Sequence, residues 1–525
     1  PAWSDSLSRS RCSPAVAAPG PGMASAGPSS RWEEVPLGAG EEEEDEAKPV
    51  VSYPPEEPPA KRQKEDPASP RIEELLRGVD FVRFEFTDLH GISRSKCVPA
   101  RHLRQERGAA TERINPQDMF IYGGVLGMST TSVPIMFDEV LDGGCCRNVP
   151  LLPDWSSFRV LPALGRKEAR FTTGRVLCSM GGLSAEEEEL PEHPRNLCMK
   201  LLGELRAKNL AILGTFEYEF TLGKKNASGE LKPLFSTRPT FSTTEFSRIE
   251  DMLYEFDAAL LELGIEVHTM NIEYGQGQVE ITTKPVFGIA SADNAFTFRS
   301  FAKEFFARKD LVATFMCKPL DDPHGACNGG HFNHSLWAVG ASAEGANMFA
   351  DEGFTCSWIK GALEHSNALQ ALAAPTVSCY NRVVAWSWAP TSASWGVENR
   401  TCSLRYKKGG KKGSYLEWRA PSASANPYLV LAGLLAGGLH FVGDRPADGF
   451  ESLPCGKDGL RGSAYDDSEA CPLPTNLTTS LDALKADSYM ESMLGSRFIR
   501  WFDKVKRKEI ESVGGDATVE SCQQQ

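Results

Sequence analysis

The sequence predicts an α+β protein in which a small, mainly β domain (residues 73–165) precedes a larger domain of interleaved helices and strands (166–525). Three observations predict it. Phe81-Val-Arg-Phe-Glu-Phe86 alternates as a half-buried strand does and runs into the turn signal Asp88-Leu-His-Gly91. From Pro194 onward, segments of helical and of strand periodicity follow one another. Neither a P-loop nor a dinucleotide-binding glycine fingerprint occurs, so nucleotide binding here would need another scaffold.

Residues 1 to about 70 are rich in Pro, Ser, Gly and Ala, with an acidic block at Glu41–Glu46. Such a composition buries too little apolar surface to offset the entropy of ordering, so this tail (1–72) is expected to be disordered. Met23-Ala24-Ser25 is a candidate start of translation within it. Arg71–Leu76 is a short amphipathic helix, and the segments through Val160 are short and turn-rich. Leu197–Lys208 has helical spacing and leads into a strand at Ala211–Leu222. Ser242-Thr-Thr-Glu245 is a capping box that opens a helix to Leu263, with Gly264 as its stop. Ile265–Lys284 reads as strand, Gly-Gln-Gly turn and strand. Asp293–Arg308 is a helix, Leu311–Lys318 a strand, and Ser424–Leu439 a helix entered through Asn426-Pro427. Met490–Glu511 is one basic amphipathic helix.

A formal net charge of -14 over 525 residues argues against nucleic acid as a partner. The longest apolar stretch, Tyr428–Val442, is too short and glycine-rich to span a membrane. The fourteen cysteines contain no Cys-x-x-Cys pair and read as reduced thiols of a cytoplasmic protein.

The chemistry lies in carboxylates placed within apolar, strand-like runs. Glu217 and Glu219 share one strand face, where paired carboxylates repel unless a cation lies between them. Glu273 and Glu280 flank a glycine turn that lets them converge, His331 follows a Gly-Gly pair, and Glu417 sits in Leu-Glu-Trp-Arg. Five hard oxygen ligands and one imidazole suit two divalent cations, Mg2+ or Mn2+. Arg382, Arg400, Arg405 and Arg419 lie among apolar and aromatic residues, and their forks match the oxygens of a transferring phosphoryl group. A lone Glu-x-Glu is usually a solvated strand face and a lone histidine usually structural. The joint occurrence is what points to phosphoryl chemistry on a nucleotide.

These motifs resemble the glutamine synthetase family over roughly residues 78–510. Lys318-Pro-Leu320, Asn328-Gly-Gly-His331 and Ser335-Leu-Trp337 are similar to its ATP-binding signature, and Ser394–Thr401 and Ala425–Leu429 are similarly family-like. The resemblance implies the glutamine synthetase fold, with a β-grasp N-terminal domain and a catalytic-type α/β domain, assembled as a homo-oligomeric dodecamer with sites between subunits. It implies one cation on Glu217, His331 and Glu417 and a second on Glu219, Glu273 and Glu280. It further implies that Arg382 contacts glutamate, that Arg400, Arg405 and Arg419 hold phosphates, and that Ser335 lies in the ATP site.

The chain departs from a glutamine-forming member at four places. Asn333 replaces a second histidine, Ala326-Cys327 replaces an Asn-Gly, and Trp388 stands where the glutamate that deprotonates ammonium is expected; no aspartate in 128–148 matches the one that helps bind ammonium. Trp accepts no proton, so ammonia use is disfavoured. Two branches of the family fit better. Phe81–Phe84, Thr87–Gly91, Ser93–Lys96, Ser291–Phe296, Ala374–Cys379 and the long tail resemble a lens-associated branch. That resemblance implies a structural or chaperone-like role on intermediate filaments. Ser387–Thr391 resembles the branch that joins glutamate to polyamines, which implies an ATP-dependent ligase acting on glutamate and an amine.

Overall fold

The computed structural model describes residues 70–515 except 105–118, 142–145, 163–169, 185, 237–238, 321–325, 340–344, 410–412, 445–447, 457 and 468–469. The acidic, proline-rich tail lies outside the described residues, apart from a short helix at Pro70–Leu75.

Five strands make a first sheet: β1 (Phe81–Thr87), β2 (Ser93–Pro99), β3 (Phe120–Tyr122), β4 (Asn148–Val160) and β5 (Thr173–Met180). Their order is β2-β1-β5-β4-β3, with β1 parallel to β5 and the other pairs antiparallel. This sheet therefore takes in a strand from beyond residue 165. Nothing in the alternation of a single strand says which strand it will pair with. The β1–β2 turn follows the expected chemistry: Asp88 Oδ1 accepts from the backbone N–H groups of His90 and Ile92 at 3.0 and 2.9 Å, and Gly91 takes φ +79. A Cβ on Gly91 would stand 3.0 Å from the backbone of Asn426, so the turn packs on the start of the Pro427–Leu439 helix.

Ten further strands make the second sheet. They are β6 (Leu210–Lys225), β7 (Leu231–Pro233), β8 (Val267–Ile272), β9 (Gln278–Thr283) and β10 (Val286–Phe287). β11 (Val312–Thr314), β12 (Gly330–Ala338), β13 (Trp395–Val397), β14 (Leu404–Lys407) and β15 (Tyr415–Trp418) complete it. The main path is β13-β14-β15-β12-β6-β9-β8, and β7, β10 and β11 also pair with β6. One face of β6 is apolar: Phe216, Tyr218 and Phe220 pack on Phe298 of the Ile289–Ala307 helix and on Phe315 and Phe332. The Pro427–Leu439 helix is buried at every position, as a helix apolar on all sides must be.

Three elements differ from expectation. The capping box at Ser242 forms, its side chain accepting from Glu245 N–H, but it opens only Thr243–Ser247, and a second helix runs Glu250–Glu262. The strand at 311–318 shortens to β11, because the Met316 and Cys317 carbonyls are taken by the side chain and backbone N–H of Asn328. The C-terminal helix is divided by Gly495, at φ +94, into Ser488–Leu494 and Ser496–Ser512. Among the described residues, no helix is long and apolar enough to cross a membrane.

Candidate functional site

Strand pairing collects the polar residues of the second sheet on one face. Side chains alternate along a strand, and residues paired directly across a ladder share a face. Glu217 pairs with His331 and Glu219 with Glu280, while Asn333 pairs with Glu417 and Glu417 with Arg405. Asn271 of β8 pairs with Glu280, and Glu273 follows it by two residues. Five adjacent strands thus present Arg405, Glu417, Asn333, His331, Glu217, Glu219 and Glu280 to the same side, opposite the aromatic core.

Ligand atoms of Glu217, His331 and Glu417 lie within 4.8 Å of one another. His331 Nδ1 is 3.2 Å from Glu217 Oε1 and 3.6 Å from Glu417 Oε1. Its Nε2 lies 3.1 Å from Arg382, whose guanidinium also donates to the carbonyls of Arg419 and Ala420 at 2.9 Å. Glu417 is buried yet ionised in character. Arg405 Nη1 stands 3.0 Å from it, Arg419 donates to its other oxygen, and Lys407 is 3.7 Å away. Burial pushes its carboxyl up, but Arg419 and His331 bring it below its ordinary value. Burial likewise opposes ionisation of Glu217, and the hydrogen bond to His331 outweighs it.

Glu219, Glu273 and Glu280 lie on the same side without closing into a comparable cluster among the described residues. Glu219 Oε2 accepts from Gly329 N–H at 2.6 Å and Gln278 at 3.3 Å, and Glu273 accepts from Asn271 and Tyr274 N–H at 3.0 Å. Burial and the neighbouring Glu219 push Glu273 up to about 7. Burial and the charges of Glu217, Glu219 and Glu273 hold Glu280 well above the carboxylate range. Carboxylates crowded in this way are what a divalent cation would relieve, and two carboxylates with one imidazole are a fitting donor set for Mg2+ or Mn2+.

The remaining predicted residues divide. Arg405 bridges Glu417 and Glu398, the latter at 2.6 Å, and Arg419 also donates to the Trp388 carbonyl at 3.0 Å. Ser335 shares the His331 face of β12 and accepts from Trp337 Nε1 at 2.9 Å. Arg400 is exposed on the loop after β13. Asn333 Nδ2 reaches Glu217 Oε2 at 3.4 Å, so it joins the face. Trp386 and Trp388 are 68% and 62% exposed and both have positive φ, leaving an aromatic, base-free loop beside Arg419. Glu398, Lys407 and Gln278 were not singled out from the sequence. Gln278 had a visible signal in its Gly-Gln-Gly-Gln run, whereas Glu398 becomes a functional neighbour through the β13–β14 pairing and Lys407 through the β14–β15 ladder.

The profile described as glutamine synthetase, catalytic domain, matches residues 191–523. Lengsin of Canis lupus familiaris is 34% identical, over 84% of this chain and 72% of its own length. A glutamate–isopropylamine ligase of Pseudomonas sp is 25% identical, over 82% of this chain and 92% of its own. The solved structure of GmaS without ligand superposes with a TM-score of 0.70 at 26% identity, covering 86% of this chain and 98% of that one.

Proposed function

Because this chain belongs to the glutamine synthetase family, we propose that it is a homo-oligomer that binds a divalent cation and ATP on the polar sheet face and acts as a structural or chaperone-like component. The convergence of Glu217, His331 and Glu417 within 4.8 Å, with Arg405 and Arg419 alongside, carries the reading. Glu217, His331 and Glu417 would hold one Mg2+ or Mn2+, and Glu219, Glu273 and Glu280 a second. Arg405 and Arg419 would take phosphate oxygens in place of Glu417, with Ser335 further along the same strand face. A bound cation would supply charge neutralisation at the phosphates. The residues that would hold and deprotonate ammonia are absent, which separates binding from ammonia fixation. The segments that resemble the lens-associated branch support the structural role and its extension to intermediate filaments.

Calorimetric titration of the purified protein with Mn2+ in the presence of ATP tests the core of this. Saturable binding is expected, and its absence would remove the metal–nucleotide reading altogether.

A second reading is favoured by the exposed Trp386–Trp388 loop next to Arg419 and by the similarity to an amine ligase. Here the protein joins glutamate to an alkyl amine with ATP, the indoles receiving the alkyl chain. Phosphate release assayed with glutamate, ATP, ammonia and a panel of mono- and polyamines separates the two readings. The structural reading expects silence across the panel; turnover with any amine that disappears in Glu280→Ala would replace it with the ligase.

A further inference from the structure

Three buried cysteines surround the neck of the loop that leads to His331. Cys317, Cys327 and Cys379 are free thiols from two distant parts of the chain. Asn328 N–H donates to the Cys317 carbonyl at 2.7 Å, and its side chain donates to the Met316 carbonyl at 2.8 Å, so the two arms of the loop are joined where Cys317 and Cys327 stand. The Cys317 thiol donates to the Cys379 carbonyl and the Cys327 thiol to the Asn381 carbonyl, each at 3.8 Å, so both thiols face the same short 379–381 segment. The three do not have the same prospects. Cys379 is bonded to the Thr376, Ser422 and Ser424 hydroxyls at 3.0, 3.1 and 3.1 Å, contacts that hold its thiol down to about 6 against burial, but it is sealed from solvent and so from an oxidant. Cys327 is the most exposed of the trio, and among the described residues its thiol donates to the Asn381 carbonyl at 3.8 Å. The contact with Cys317, together with the positive charges of Arg382 and Lys318, holds the Cys327 thiol below its ordinary value against the effect of burial.

We propose that Cys327 is an oxidant-sensitive thiol that closes a reversible disulfide with Cys317 at the edge of the cation face. With a peroxide as oxidant, the Cys327 thiolate takes one oxygen to become a sulfenic acid, and the peroxide's other oxygen leaves as water after protonation. The Cys317 thiol attacks that sulfur, the S–S bond forms, and the sulfenic oxygen leaves as a second water. The two electrons lost by the thiol pair are those gained by the peroxide. Closing the bond withdraws the Cys327 thiol from Asn381, the neighbour of Arg382, whose guanidinium reaches His331. It also displaces the segment whose Gly329 N–H holds Glu219 and whose Cys327 carbonyl and Asn328 side chain are held by Gln278. Oxidation therefore loosens the supports of both Glu219 and His331.

Full-length protein treated with hydrogen peroxide and digested without reductant should yield the Cys317 and Cys327 peptides joined, lighter by two hydrogens and separated again by dithiothreitol. Exposed Cys97 and Cys471 serve as reference thiols in the same digest. Peptides left unlinked while Cys97 is oxidised would overturn the proposal. In Cys317→Ser the resolving thiol is gone, so dimedone should label Cys327 after peroxide; an unlabelled Cys327 would overturn it as well. Affinity for Mn2+ should fall about ten-fold on oxidation and recover on reduction. That readout rests on the metal-binding reading. Unchanged affinity in crosslinked protein would overturn the coupling, whereas no Mn2+ binding before oxidation would overturn the metal reading and leave the crosslink test intact.

Discussion

Lys506→Ala is expected to destabilise the protein by about 3–5 kcal/mol, read as a lowered urea midpoint at fixed protomer concentration. Lys506 lies on the Ser496–Ser512 helix and is fully buried. Its ammonium stands 2.9 Å from His90 Nδ1 and 3.0 Å from Glu509 Oε2, and His90 is itself 3.7 Å from Glu509. Burial, followed by the charges of Lys506 and Arg94, holds the His90 imidazole well below its ordinary value. His90 is therefore neutral and accepts from the lysine, leaving Lys506 as the one cation in contact with Glu509 among the described residues. Truncating it leaves a carboxylate in the interior with its Oε1 already lacking a hydrogen-bond partner among those residues. Buried ion pairs are expensive to break and much less expensive to replace. The double variant Lys506→Met/Glu509→Leu should accordingly recover most of the loss. A single-variant loss under about 1 kcal/mol would mean that water reaches the pocket and screens the orphaned charge.

Glu417→Ala is expected to lose both stability and cation affinity, and the two losses can be told apart. Glu417 is the shared anion of Arg405 and Arg419, with Lys407 and His331 within 3.7 Å. Removing it leaves two buried guanidinium groups facing each other. Arg405 retains the exposed Glu398 and Arg419 the Trp388 carbonyl, so the cost should be about 3 kcal/mol, the lower end for a broken buried pair. Glu217→Gln is the comparison. Its carboxylate is bonded by His331 and Asn333, without the two guanidinium groups that Glu417 holds, and the amide is nearly isosteric. It should lower the urea midpoint less than Glu417→Ala does while weakening Mn2+ binding about 100-fold or more, since a lost ligand costs at least as much as a lost supporting contact. A Glu417→Ala protein that binds Mn2+ as the parent does would place the cation elsewhere on the face.

Much of the site could be read in the chain because its ingredients are costly wherever they occur. Glu217, Glu219, Glu280 and Glu417 announce themselves as carboxylates within apolar strands, and the parity of β6 already puts the first two on one face. The Asn426-Pro427 entry to a buried helix and the Asp88–Gly91 turn are likewise local signals, and both form as expected. What could not be read is pairing between distant segments. His90 and Lys506 are far apart in sequence, and neither carries a mark of the other. Cys379 and Cys317 look like ordinary core cysteines until the Asn328 side chain draws the loop neck beside them. Arg405 stands on a ladder opposite Glu417 while Arg400 lies on the exposed turn after β13, a difference in position that their sequence surroundings do not announce.

By itself the sequence determined the side chains that are available: five carboxylates and one imidazole within apolar runs, arginines among aromatic residues, and a tryptophan at position 388. Those are properties of side chains and survive any arrangement. Only the tertiary structure decided which of them meet. The ladders through β6, β12 and β15 bring Glu217, His331 and Glu417 within 4.8 Å, fasten Glu417 to Arg405 and Arg419, and keep Glu219, Glu273 and Glu280 more loosely spaced. The reason is physical: residue type fixes what a group can bind, but distance fixes the interaction energy, and distance between strands far apart in sequence is set by register.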